Sequence, residues 1–151
     1  MTWTTTPTRD PLAGDPAEAA IRGMVATIVR EARPRPLAVI LFGSRARGDH
    51  RPTSDADFLV VLPEGTHERR VGGAVDDLLT FAPLEVDIVT ATPTRLAAAR
   101  GDYGSVLHYA QEQGVILYQA DEDAGYRAAH GDGTPSAQTT SGGAEVPGVS
   151  A

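Results

Sequence analysis

Asp55 and Asp57 stand in the run Ser54-Asp55-Ala56-Asp57, at the head of an apolar stretch over residues 57–62 that reads as a strand. In an extended chain alternate side chains share a face, so the two carboxylates project together and each raises the cost of ionising the other. A divalent cation removes that cost. Oxygen donors of this kind suit Mg²⁺, which takes a few carboxylates and completes its shell with water and substrate phosphates. Asp87 lies between Val86 and Ile88 in a further apolar run, where an unpaired buried carboxylate would be costly and needs a partner. If its strand lies beside that of Asp57, the three acids can hold two metal ions about 4 Å apart. Glu85 shares the Asp87 face by period-two counting, which leaves open which of the two faces the metals.

Just upstream, Gly43-Ser44-Arg45-Ala46-Arg47-Gly48 follows the apolar run 37–42. Glycine at the end of a strand lets a ligand approach the backbone closely, and the Ser44 hydroxyl can donate to a phosphate oxygen. Arg45 and Arg47 bring two cations to the same place, one expected to meet phosphate and the other to pair with Asp49 or another surface acid. With the carboxylates, these parts could clamp a triphosphate and align its alpha phosphorus for in-line attack. His50 in the connection reads as a loop residue, and His67 and His108 as partly exposed helix residues; Tyr103 and Tyr118 suit core or interface equally.

The elements that must position these groups follow from periodicity and punctuation. Asp15 reads as a helix cap, with Pro16 at the first position and Glu18 completing a capping box, and Ile21, Val25, Ile28 and Val29 form one apolar stripe before Pro34 and Pro36. Residues 37–42 and 57–62 predict strands. A helix opens at Thr66 with Val71, Val75, Leu78 and Leu79 inward, and residues 84–89 predict a third strand. Residues 92–99 and 105–113 predict helices, and residues 115–118 a last strand. The order indicates an α/β (α+β) fold, a small mixed sheet with helices packed on it.

Composition narrows the class. The chain has 151 residues, no cysteine and no lysine, all 13 basic residues being arginine, so disulfides, cysteine zinc sites, lysine nucleophiles and a P-loop lysine are excluded. Net charge is -7, and residues 121–151 carry five acids against Arg127 alone. A nucleic-acid duplex, which wants a basic stripe, is not the expected partner. Residues 1–14 and 121–151 are poor in large apolar groups and are expected to be disordered, flanking one domain over residues 15–120. No apolar run reaches the eighteen or so residues of a membrane span, so the expectation is a soluble cytoplasmic protein.

Gly43-Ser44, ten intervening residues and Asp55-x-Asp57, with Ser54 before the first acid and the Val86-Asp87-Ile88-Val89 strand, resemble the motif of the minimal nucleotidyltransferases of the DNA polymerase beta superfamily. The run 114–118, Gly-Val-Ile-Leu-Tyr, resembles the end of such domains more weakly. The resemblance implies a polymerase beta palm-like nucleotidyltransferase fold, two Mg²⁺ ions on Asp55, Asp57 and Asp87, and ATP held by Gly43, Ser44, Arg45, Arg47 and Ser54. It implies that Asp55 and Asp57 bind metal and phosphate while Asp87 helps activate the acceptor hydroxyl. It also implies a partner, a helical HEPN RNase toxin whose tyrosine receives AMP, making this chain its antitoxin in a hetero-oligomer. Two other readings stand beside it: an antitoxin that only masks its partner, and a small-molecule transferase similar to those that modify aminoglycosides, which generally carry an added helical domain.

Overall fold

Two neighbouring strands that are apolar on both faces set the architecture, because a strand of that kind must be covered from above and below. The computed structural model describes residues 12–120. Its elements run α1 (Glu18–Glu31), β1 (Ala38–Phe42), α2 (Ser44–Arg47), β2 (Ala56–Val61), α3 (Glu68–Leu78), β3 (Val86–Ala91), α4 (Pro93–Ala99), α5 (Val106–Gln113) and β4 (Val115–Gln119). The sheet order is β3-β2-β1-β4. β1 is antiparallel to both β2 and β4, whereas β2 and β3 are parallel and joined through α3. A parallel pair needs such a crossover, and α3 fills that role.

Alternation sorts the side chains into two cores. Val39, Leu41, Phe58 and Val60 point to the side covered by Ile21, Met24, Val25 and Ile28 of α1 and by Val71 and Val75 of α3. Ala38, Ile40, Leu59, Val61 and Ala91 point to the other side, against Leu96 and Ala99 of α4 and Leu107 and Ala110 of α5. Each fully buried side chain of this size stabilises the fold by about 1.5–3 kcal/mol. The result is the mixed sheet with packed helices expected from the pattern. Among the described residues, no helix is long and apolar enough to cross a membrane.

Several local expectations are revised. Asp15 does not cap α1: the N-cap is Ala17, with no side-chain bond. The Asp15 carboxylate accepts the Ala17 N–H just ahead of the helix at 2.8 Å and also makes tertiary contacts, and Glu18 pairs with Arg22. α3 starts later than Thr66, because His67 is its N-cap and accepts the Arg70 N–H on Nδ1 at 3.2 Å. His108 is buried, between the rings of Tyr103 and Tyr109, and accepts the Gly101 N–H at 3.1 Å. The stretches 1–14 and 121–151 lie outside the described residues except for residues 12–14, and there Leu12 is fully buried in the α1–α3 core.

Candidate functional site

Strand register brings the chemistry-bearing residues to one end of the sheet. Phe42, the last residue of β1, is opposite Asp57 near the start of β2, and Asp57 is in turn opposite Asp87 near the start of β3. Asp57 shares the face of Leu59 and Val61, so its carboxylate lies on the α4–α5 side of the sheet. Gly43 follows Phe42 with φ 74°, and an added Cβ there would lie 2.2 Å from Asp57 Oδ2. The backbone at Gly43 and the carboxylate of Asp57 therefore share a space that any other residue at 43 would fill. Asp55, in the connection just before β2, is exposed, as are Asp87 and Glu85. The exposure of Asp87 revises the expectation of a buried acid: β3 is an edge strand, and its site end is open.

The acids press on each other electrostatically. The Asp57 carboxyl is pushed up to about 6, first by burial, then by the Asp87 carboxylate, with which it is also hydrogen bonded, and then by Asp55; the Arg47 guanidinium opposes the rise. Asp76 on α3 is also raised, by burial, by Asp77 and by Asp87. The sequence reading did not connect Asp76 with this end of the sheet. Among the described residues no three His, Asp or Glu side chains are gathered into a ready metal cage. Like charge opposes such gathering, and the strain is already visible at Asp57. The donor set fits Mg²⁺ on chemistry: all oxygen, anionic, partly open to solvent, with the Asp57 carboxyl pushed up to about 6 by burial and by its acidic neighbours, a cost that a cation would lift.

The chain turns at Gly43 straight from β1 into the single helical turn of α2. Ala46 and Arg47 N–H groups both donate to the Gly43 carbonyl at 3.1 Å. This turn sends its two arginines in different directions. Arg47 is exposed and donates to Asp49 Oδ2 at 3.3 Å, yet its charge still reaches Asp57. Arg45 is only 1% exposed and points into the connection between α2 and β2, donating to the carbonyls of Ser54 at 3.0 Å and Pro52 at 3.1 Å. This departs from the phosphate-binding part expected of Arg45: its donors are already committed to the loop. Ser54 Oγ accepts the Arg51 N–H at 2.8 Å. Ser44, at the start of the turn, is partly exposed.

Asp15 is the residue the sequence did not flag here. Its Oδ2 accepts from Arg45 NH1 at 3.5 Å and from His50 Nε2 at 2.8 Å, tying the start of α1 to this loop. No local signal separates it from a helix cap, since an Asp-Pro pair before a helix has the same appearance in either case.

The family model described as a nucleotidyltransferase domain matches residues 23–109. No curated protein matches the chain by sequence. Among solved structures, the chain is similar to a candidate nucleotidyltransferase from Sulfolobus solfataricus, with 18% identity over 78% of this chain and 96% of that one and a TM-score of 0.50. It is also similar to a candidate minimal nucleotidyltransferase, with 27% identity over 74% of this chain and 100% of that one and a TM-score of 0.43. A toxin–antitoxin structure with AMP-PNP aligns at 19% identity over 72% of this chain and 82% of that one, with a TM-score of 0.46. The archaeal likeness shows a shared fold.

Proposed function

The chain belongs to the nucleotidyltransferase domain family, and from that premise we propose that Asp55, Asp57 and Asp87 hold Mg²⁺ while the domain transfers AMP from ATP to a tyrosine hydroxyl of a HEPN-type RNase toxin, with release of pyrophosphate, acting as its antitoxin. The observation that carries the catalytic part is the pairing of Asp57 with Asp87 across parallel strands, beside the bare Cα of Gly43. Two bound Mg²⁺ ions would neutralise the charge of the transferring phosphate and favour ionisation of the attacking hydroxyl.

The remaining work falls to the chain's own groups. Asp55, just before β2, and Asp57, within it, bind and orient. Asp87, on the open edge strand, is the carboxylate an incoming hydroxyl reaches first, and its oxygen takes the hydroxyl proton. The absence of a side chain at Gly43 leaves room for the Asp57 carboxylate against the backbone. Ser44 and Ser54 offer hydroxyl donors; Ser54 Oγ already accepts a backbone N–H, which leaves its own proton free to donate. Arg47, exposed at this end, is the cation available to a phosphate.

The antitoxin part rests on the motif resemblance. The edge strand β3, with Asp87 exposed on it, is where a protein acceptor would be brought. A chain without cysteine suits a cytoplasmic setting, and a net charge of -7 does not favour direct nucleic-acid binding. The test is incubation with Mg²⁺, ATP labelled at the alpha phosphate and the product of the adjacent gene. Label is expected on a tyrosine of that product with wild type and none with Asp57→Ala; an unlabelled product in both cases rejects the reading. If an Asp55→Ala, Asp57→Ala double variant neutralised the partner as well as wild type, masking without catalysis would replace it.

A further inference from the structure

The connection between α2 and β2, residues 48–55, lies outside every helix and strand, so Asp55 must be held by something else. Two hydrogen bonds fix the peptide planes on either side of it. The Ser54 carbonyl, coplanar with the Asp55 N–H, accepts from Arg45 Nε at 3.0 Å. The Ala56 N–H, in the plane that follows, donates to the Glu85 carbonyl at 2.9 Å. The second bond extends the β2–β3 ladder and is secured by the sheet. The first depends on how a side chain is aimed.

Arg45 is aimed by charge. Its NH2 also donates to the carbonyls of Pro52 at 3.1 Å and Arg51 at 3.5 Å, so the guanidinium fills the inside of the loop, and its NH1 meets Asp15 Oδ2 at 3.5 Å. The Asp15 side chain is 6% exposed. The same Oδ2 accepts His50 Nε2 at 2.8 Å, and Oδ1 accepts the Ala17 N–H at 2.8 Å. One buried carboxylate thus joins the start of α1 to His50 in the loop that ends in Asp55 and to Arg45, which holds the carbonyls of that loop.

We infer that Asp15 is a positioning residue for the metal site: through Arg45 and His50 it fixes the loop 48–55 and thereby the direction from which the Asp55 carboxylate meets a cation beside Asp57. This rests on the metal-binding part proposed for Asp55. A preformed loop spares the ordering cost at the moment of binding, and a loose one adds it. The defect of a variant therefore falls on the Mg²⁺ requirement, while turnover at saturating Mg²⁺ is largely kept.

The experiment compares wild-type full chain with Asp15→Asn, Arg45→Lys and His50→Gln, reading amide hydrogen exchange and the Mg²⁺ concentration that half-saturates ATP binding and transfer. In Asp15→Asn and Arg45→Lys, amides of residues 49–55 exchange about tenfold faster while those of β1 and β2 are unchanged, and half-saturating Mg²⁺ rises about tenfold, with turnover restored at high Mg²⁺. His50→Gln, which keeps a donor, shows a smaller shift of both, and Asp15→Glu recovers part of the loss. A role in stability alone would lower global protection and leave the Mg²⁺ requirement where it was. If Asp15→Asn fails to fold, Arg45→Lys and His50→Gln decide by the same two readings. Unchanged loop exchange, or a freed loop with an unchanged Mg²⁺ requirement, overturns the inference while the metal site stands; a wild-type chain with no Mg²⁺ response at all removes the metal site and this inference with it.

Discussion

A β-carbon on Gly43 would sit 2.2 Å from Oδ2 of Asp57, although the two residues belong to different segments of the chain. The turn after β1 and the acid of β2 occupy one volume, and Gly43 is also at φ 74°, a conformation that L side chains resist. Gly43→Ala therefore displaces the carboxylate and strains the turn together. We expect a loss of about 1–3 kcal/mol of stability by denaturant titration and at least about a hundredfold loss of transfer rate. An alanine variant of wild-type activity would mean that the Asp57 carboxylate is not needed where it stands.

The mutual pressure of the acids has a signature in stability against pH. The Asp57 carboxyl is raised from 3.8 to about 6 in the folded chain, so the folded form holds its proton more tightly than the unfolded form. The stability contributed by this group is fully present below about pH 4 and is lost as pH rises through about 6. Asp57→Asn removes the penalty. Without Mg²⁺ at pH 7.5 the variant is expected to melt a few degrees above wild type, a gain of about 1 kcal/mol once solvent screening at this part-exposed group is allowed for, and to match it near pH 3.5. Thermal melts at the two pH values check this, and a variant no more stable than wild type at pH 7.5 would contradict it.

Glu85 and Asp87 are separated by their places in the register. Asp87 is opposite Asp57, whereas Glu85 precedes β3 and contributes its backbone carbonyl to Ala56. Asp87→Asn is expected to lower transfer by about a thousandfold or more, and Glu85→Gln by less than about threefold. Equal losses in the two variants would move the third ligand to residue 85 or share it between them.

The two arginines of the motif should separate in the same way. Arg47→Ala, at an exposed position, is expected to leave the melting temperature within about a degree and to raise the KM for ATP roughly tenfold. Arg45→Ala empties a buried cluster and is expected to destabilise the fold by about 3–5 kcal/mol. Steady-state kinetics and melts on both variants distinguish the parts; the opposite pattern would return Arg45 to the phosphate.

How much of this was legible before the fold was known depends on the range of the interaction. Among the described residues, periodicity located the four strands and the four longer helices to within a few residues, because alternation and the helical stripe are local and the core demands them. It placed Asp55 at the head of the strand that carries Asp57, although β2 itself begins at Ala56. That β3 is parallel to β2 and at the sheet edge, which makes Asp87 exposed rather than buried, is a fact of strand order that no local pattern encodes. The single turn of α2 is too short to leave a period. The direction of Arg45 was hidden because its partners are mostly backbone carbonyls, which every residue carries, and Asp15 was read as a cap because an acid before a helix serves nearby N–H groups and distant arginines alike.

The central claim is that Asp57, with Asp55 and Asp87, binds Mg²⁺ together with ATP. Isothermal calorimetry of ATP with the purified chain, in the presence and absence of Mg²⁺, tests it most directly. Saturable binding that requires Mg²⁺ in wild type and disappears in an Asp55→Asn, Asp57→Asn double variant of unchanged fold is the predicted result. Binding of equal strength in that double variant, or no Mg²⁺-dependent heat in wild type, would contradict it.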